Sequence, residues 1–476
     1  MSAITTKVQS KEASQTIKLL LIAFVACIVW YFLKPETLAP KSWNMLVTFV
    51  FTIISIILKP LPMGALALTS VAVLCSTNTI SLQTALQGFA YDQLWLIVLA
   101  CFLARGIIKT GLGKRIAYSF MSIFGGTPFG MGYGLLFSAA CMAPIIPSTT
   151  ARTGGIILPV FRSIISTLGG KGSGKSSVGE YLSMIVLHSS VITSALFITA
   201  NAGNPIVVKF AQNMGITITW MDWAKAAFVP GILSLILLPP VLLFLSPCKV
   251  DNAASIREHS KEELKNLGAI NWQEKLLLTI FSGLLFLWAF GRFFGVGATE
   301  AALIGVSLLL VFQVLSWKDI LQEELAWDTF LWMGILIMMA SEMQNLGVIS
   351  WFTDQVVQFI PACSWYWQLT ILSLIYYYSH YFFASVAAHV SSMYGPFLAI
   401  ASAAGAPPLI SALFFGFLSS LFGAFTQYSS GPAPIVYAEQ HVEIKKWWKI
   451  GFCTSIFYLI IWGGIGTLWW KWLDLI

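Results

Sequence analysis

Charged residues are few in this chain: Asp, Glu, Lys and Arg make up 10% of its 476 residues, against 57% hydrophobic ones. That shortage excludes a soluble globule, which needs polar side chains to coat its surface, and a disordered chain, which needs charge to stay expanded. A mean hydropathy of +0.80 agrees. Basic clusters are missing too: the formal net charge of +7 is scattered rather than gathered into a groove, so nucleic acid is not an expected partner. Period-two alternation is absent as well. The apolar runs are continuous and about 17 to 25 residues long, enough for an α-helix to cross a hydrocarbon core, which excludes an outer-membrane barrel. The expected solvent is the lipid bilayer, and the expected fold class is an all-α polytopic membrane protein.

Paired cysteines are also lacking. The seven, at 27, 75, 101, 141, 248, 363 and 453, stand singly with no CxxC spacing. They read as small apolar packing residues, so neither a disulfide framework nor a metal site is expected, and no cofactor. No GxSxG or HExxH spacing occurs, which leaves an enzyme, in the form of an intramembrane Ser/His hydrolase, a poor fit. Residues 1–18 carry Lys7, Lys11 and Lys18 ahead of the first apolar run, and neither a transit peptide nor a cleaved secretory signal fits them. The first run therefore reads as a true span, in a bacterial plasma membrane.

Eleven spans are expected, near 16–33, 44–58, 63–80, 93–110, 180–200, 226–246, 275–293, 299–316, 328–344, 410–425 and 448–470. Two further apolar stretches, at about 126–165 and 365–402, are interrupted by Pro-Ile-Ile-Pro-Ser-Thr-Thr-Ala-Arg-Thr-Gly-Gly (144–155) and Ser-Val-Ala-Ala-His-Val-Ser-Ser-Met-Tyr-Gly-Pro (385–396). Opened backbone at membrane depth leaves N–H and C=O groups that lipid cannot satisfy, so such breaks survive only where they line a cavity. Both stretches are expected to be re-entrant hairpins.

The charged segment 247–274 is read as a cytoplasmic linker that divides the chain into halves. Residues 111–246 form a first repeat, with a broken helix at 199–205, and residues 345–476 a second, with a broken helix at 426–434 and the last span. Helices of 1–110 and 275–344 precede them. Three landmarks recur in order: Gly-Leu-Gly (111–113) and Asn-Leu-Gly (345–347), the two interrupted stretches, and the two polar breaks. Counting spans from a cytoplasmic N-terminus makes the repeats inverted. Of 27 Lys and Arg, Arg152 sits in a candidate site, 20 fall on the predicted inside, and 6 (Lys34, Lys41, Lys209, Lys225, Arg292, Lys471) outside. Inverted repeats with interrupted helices at matching positions point to a secondary transporter whose site lies where the repeats meet.

The unpaired N–H groups and dipole of a half-helix favour an anion, and two such ends facing one cavity favour it doubly. Ser148, Thr149 and Thr150 can cap the first broken helix or donate to a carboxylate. Arg152 is a guanidinium in an apolar segment, a placement that costs about 3 kcal/mol on insertion scales and so implies a substrate or counter-charge role, with structural pairing as the alternative. His389 is its match: each lies seven residues before a proline, Pro159 or Pro396. Asn201 with Asn204-Pro205, and Thr426 with Ser429-Ser430-Gly431-Pro432, would open the helices that follow, where Gly lets backbone approach a ligand and Pro frees a carbonyl. Kinks serving only helix packing are the plain alternative.

Pro-Ser-Thr-Thr-Ala-Arg-Thr-Gly-Gly (147–155), His-Tyr-Phe-Phe-Ala-Ser (380–385) leading to Ala388-His389, and Ser430-Gly431-Pro432 before Ile-Val-Tyr carry a likeness to a known family. In these runs, and over most of its length, the chain resembles the divalent anion/sodium symporter family, especially its citrate/succinate antiporter and chloroplast 2-oxoglutarate/malate translocator branch, which has Ser-Asn-Thr-Ala-Arg-Thr-Gly-Gly at the first of them. The resemblance implies a homodimer, a scaffold, a moving transport part with two hairpins meeting at the substrate, and elevator-type motion. In the family, a Ser-Asn-Thr motif at each tip touches substrate carboxylates, and nearby loops hold sodium in the symporters. By position, the first tip is Ser148-Thr149-Thr150 and the second is Ala388-His389-Val390, which has lost both hydroxyls. Fewer oxygen donors weaken a hard-cation site, while Arg152 and His389 supply fixed positive charge near it. The expected function is sodium-independent exchange of C4–C6 di- and tricarboxylates: malate, succinate, fumarate, 2-oxoglutarate or citrate. A sodium-coupled symporter of the same anions is the nearest alternative, and an anion channel a further one.

Overall fold

Helices stop where the apolar runs meet Gly, Pro or a capping hydroxyl. The computed structural model describes residues 2–168, 176–248, 253–357 and 364–476; Lys171, Lys175, Lys249 and Cys363 fall outside them. Among the described residues every regular element is helical. First come α1 (Ser2–Phe32), α2 (Pro40–Leu58), α3 (Met63–Ser76) and the single turn α4 (Leu82–Leu86). Then follow α5 (Asp92–Thr110), α6 (Leu112–Phe124), α7 (Pro128–Met142), α8 (Thr149–Arg152), α9 (Leu158–Thr167), α10 (Ser177–Leu196), α11 (Gly203–Asn213) and α12 (Trp220–Leu245). The middle holds α13 (Ala254–Asn266), α14 (Trp272–Phe294), α15 (Ala298–Val311) and α16 (Trp317–Leu321). The rest comprises α17 (Glu324–Asn345), α18 (Val348–Val357), α19 (Trp365–Ser379), α20 (Val386–His389), α21 (Gly395–Ala403), α22 (Pro408–Leu421), α23 (Pro432–Tyr437), α24 (Ile444–Tyr458) and α25 (Gly466–Trp472).

The order α6–α12 is repeated by α18–α25, with α24 and α25, joined by a π-turn at Leu459–Ile465, together standing for α12. Seven of the described helices are long and apolar enough to cross a bilayer, among them α2, α5, α12, α14 and α17. α10 is as long but more polar, because it is not a lipid-facing helix. Every residue from Tyr181 to Leu196 is buried. Its hydroxyls bond back to their own helix: Thr193 donates to Ser189 O at 2.8 Å and Ser194 to Ser190 O at 2.7 Å.

Each hairpin pairs one straight arm, α7 or α19, with a return arm built to one plan. A Ser-capped turn (α8, α20) leads into a π-turn (Thr153–Ile157, Val390–Tyr394), and a proline follows, Pro159 or Pro396. Proline has no N–H, so the i→i−4 ladder must give way just before it. Elsewhere the same loss is repaired from outside. Pro230 within α12 leaves Ala226 O without its helical donor, and Trp470 Nε1 supplies one at 2.8 Å; Pro240 does the same to Ile236 O, which accepts from Tyr133 Oη at 2.5 Å.

The charged linker is more ordered than its composition suggested. Within it α13 packs on α6, and Arg257 Nε donates to Ser122 O at 2.9 Å. Arg115 on α6 forks onto Glu274 at 2.8 Å and also donates to Gly268 O and Leu267 O, closing the end of α13. Both helices are amphipathic and too short or too charged to read as spans, which is why none is expected over 111–125.

Candidate functional site

The tips of the two hairpins and the two broken helices converge on one cavity of about 260 Å³. The first hairpin brings Thr149 and Thr150 to its wall, the second brings Ser385, Val386 and Ala387. α10 and the break after it add Ser190, Ser194 and Asn201; α22 and its break add Ser420, Ser430, Gly431 and Pro432. Ile56, Lys59 and Met63, from the junction of α2 and α3, close the remaining side. No carboxylate lines this cavity among the described residues.

Local rules set each tip. Ser148 takes an extended conformation and its hydroxyl accepts from Ala151 N at 3.1 Å; Ser385 does the same for Ala388 N at 3.3 Å. The caps therefore correspond, and the second tip reads Ser385-Val386-Ala387. This shifts by three residues the register carried over by resemblance, which placed the tip at Ala388-His389-Val390. Ala388, on α20, and Val390, at the start of the π-turn that follows, are fully buried behind the tip. One hydroxyl survives in the second tip, not none.

Arg152 and His389 occupy the same position in their repeats, four residues after the cap, and neither reaches the cavity wall. Arg152 is fully buried. Its Nη1 donates to Ile146 O at 2.7 Å and Ala200 O at 3.3 Å, and its Nη2 to Thr193 Oγ1 at 3.2 Å and Ser190 O at 3.4 Å. It thus ties the opened tip to the opened loop of the following helix through both terminal nitrogens of its planar fork, where lysine has a point charge. His389 does this in two links. Its Nδ1 lies 3.2 Å from His380 Nδ1, and His380 Nε2 lies 2.7 Å from Ser429 O in the second break. A carbonyl only accepts, so His380 donates from Nε2; with His380 neutral, its Nδ1 accepts from His389. His389 Nε2 meets Ser379 Oγ at 3.0 Å, and its ring stacks on Tyr376. His380 opens the His-Tyr-Phe-Phe-Ala-Ser run and reads from sequence as a packing or hydrogen-bonding residue; its place as the second link follows only from the fold.

The breaks are held by their own side chains. Asn204 is buried, donates to Ser194 O at 2.8 Å and Phe197 O at 3.1 Å, and accepts from Ser420 Oγ at 3.1 Å. Asn201 accepts from Gly203 N at 3.0 Å and faces the cavity. In the second break, Ser429 and Ser430 both donate to Gly423 O, at 2.8 and 2.6 Å, and Thr426 N donates to Ser429 Oγ at 3.3 Å. So Asn204, Thr426 and Ser429 act behind the wall, and Asn201, Ser430, Gly431 and Pro432 on it.

Each tip leans on a glycine of the other repeat. A Cβ on Gly431 would collide with Thr150 Oγ1, and one on Gly203 would lie 3.2 Å from Val386 Cγ1. Neither break could approach the opposing tip this closely with a side chain. The hydroxyls, the amide of Asn201 and the N-terminal N–H groups of α8 and α20 together offer hydrogen-bond donors suited to a small anion. The six described cysteines are unpaired, and no cluster of metal-binding side chains occurs among the described residues.

A family model described as the sodium:sulfate symporter transmembrane region matches residues 13–476. "Dicarboxylate transporter 1, chloroplastic" of Spinacia oleracea is 42% identical over 470 residues, covering 98% of this chain and 83% of that protein. "Putative malate transporter YflS" of Bacillus subtilis (strain 168) is 44% identical over 464 residues, 97% of each chain. Among solved structures, the YdaH transporter of Alcanivorax borkumensis, reported as having an unusual topology, superposes with a TM-score of 0.58 over 91% of this chain and 97% of that one. At 12% identity, that likeness speaks for the fold alone.

Proposed function

We propose, from the premise that this chain belongs to the divalent anion/sodium symporter family and to its dicarboxylate-transporter branch, that it carries C4–C6 dicarboxylates across a bacterial plasma membrane by exchange. Malate, succinate, fumarate and 2-oxoglutarate are the substrates, with citrate as the larger tricarboxylate. The observation that carries this reading is the cavity itself: four opened chain segments meet there, hydroxyl and amide donors line it, and no carboxylate faces it. Such a lining suits a carboxylate anion.

Exchange rather than net uptake follows from the charge behind the wall. Arg152 is buried with carbonyls and a hydroxyl as partners and no acidic side chain, so its charge stays uncompensated while the cavity is empty. A moving part loaded with a dianion crosses with that field offset; an empty one crosses against it. We take the repeats to move together, elevator-fashion, against the helices of 1–110 and 275–344, in a homodimer. A sodium-coupled symport of the same anions has one feature in its favour, the three consecutive hydroxyls Ser148, Thr149 and Thr150, which are hard-cation donors.

Vesicles holding the purified protein and preloaded with unlabelled malate are expected to take up labelled 2-oxoglutarate at equal rates in sodium and in potassium. Uptake into empty vesicles that follows an imposed sodium gradient would overturn exchange in favour of symport.

A further inference from the structure

The cavity has one charged side chain on its wall, and it belongs to neither repeat. Lys59 follows the last residue of α2, and it faces the two tips together with Ile56 and Met63. It is exposed and has no ion-pair partner among the described residues. Its backbone is also out of the ordinary. At φ 50° and ψ 48° it is left-handed, a conformation that non-glycine residues avoid. The residue after it is Pro60, which favours extended geometry at the position before it. The chain accepts a doubly disfavoured backbone here and, in doing so, turns α2 into α3 with Lys59 on the cavity wall.

We infer that Lys59 is a substrate-binding residue contributed from outside the repeats, pairing with one carboxylate of the dianion while the tips and breaks hold the other. The inference rests on the dicarboxylate reading above and adds the element that distinguishes a dianion from a monoanion: donors from opened helix ends serve any carboxylate, whereas a lone ammonium across the cavity rewards a second one. The span count places the α2–α3 junction on the cytoplasmic side, so Lys59 meets substrate from that side. A hard-wired cation there would also draw anions into the mouth of the cavity.

The test uses the full-length protein in proteoliposomes, with malate counterflow as the readout. Lys59→Asn and Lys59→Gly both accept a positive φ, so they relieve the backbone while removing the charge. Each is expected to raise KM for malate about tenfold with a smaller change in kcat, since a charge-assisted contact is lost. The dependence of KM on ionic strength should flatten in both. Lys59→Arg should restore KM to within about twofold of the native value, because the charge returns. Native KM and salt dependence in both neutral variants, with wild-type exchange intact, would overturn the role of Lys59 alone. If the wild-type protein exchanges no dicarboxylate at all, the reading of the substrate falls and this role falls with it.

Discussion

Arg152 braces rather than binds. Its four acceptors lie on the first tip, on α10 and in the first break, and removing it leaves the carbonyl of Ile146 without its side-chain donor and that of Ala200 with only Ser194 Oγ at 3.5 Å. An unpaired buried carbonyl costs about 1 to 3 kcal/mol. Arg152→Met is therefore expected to lower thermal stability by several degrees and abolish exchange, and Arg152→Lys, which keeps charge but not the fork, to fall between. Thermal unfolding of the purified variants checks this. Loss of exchange at an unchanged midpoint would mean that the guanidinium acts on the substrate directly. The importance of this residue was legible in the sequence, because a guanidinium within an apolar run must have a reason. Its direction was not, since spacing alone does not say whether a side chain points at a ligand or back into its own repeat. Lys59 escaped notice for the opposite reason: a lysine at the end of an apolar run before Pro60 looks like any interfacial cation, and only the fold shows that the cavity reaches it.

At the level of elements, the interrupted runs at 144–155 and 385–396 told where helices open, and the structure opens them there. Register within the second opening was harder to read. Thr149 and Thr150 correspond to Val386 and Ala387, so the motif dissolves in the second repeat and only the cap, Ser385, marks its position. The proline count gave the better alignment because it follows backbone geometry, not side-chain chemistry. Close packing of tip on break makes a sharper prediction. Gly431→Ala is expected to reduce exchange at least tenfold, since its methyl would occupy the place of Thr150 Oγ1. Adding Thr150→Ala should recover part of that activity, beyond what the two single losses would give together. Additive losses in the counterflow assay would place the damage elsewhere.

Across the whole molecule, the inversion of the repeats expected from span counting sets which loops share a side. Gly126, between α6 and α7, and Ser364, just before α19, occupy equivalent places in the two repeats, and both are open to a new side chain or to solvent. In a background lacking the native cysteines, Ser364→Cys is expected to react with an impermeant thiol reagent on intact cells, and Gly126→Cys only after permeabilisation. Labelling of both from one side would refute inversion. This topology came from the Lys and Arg distribution and from span counting, which need no knowledge of packing. What no such count supplies is that α10 and α22 pack on each other and are buried along nearly their whole length, with Ser189, Ser190, Thr193, Ser194, Ser419 and Ser420 among their buried hydroxyls.

Both return arms carry the same widened turn, Thr153–Ile157 and Val390–Tyr394, one step after residues as different as arginine and histidine. Because Pro159 and Pro396 impose that widening from the backbone, the bend belongs to the arm and not to the side chain one step before it, so arginine and histidine stand at one geometric position while meeting different partners.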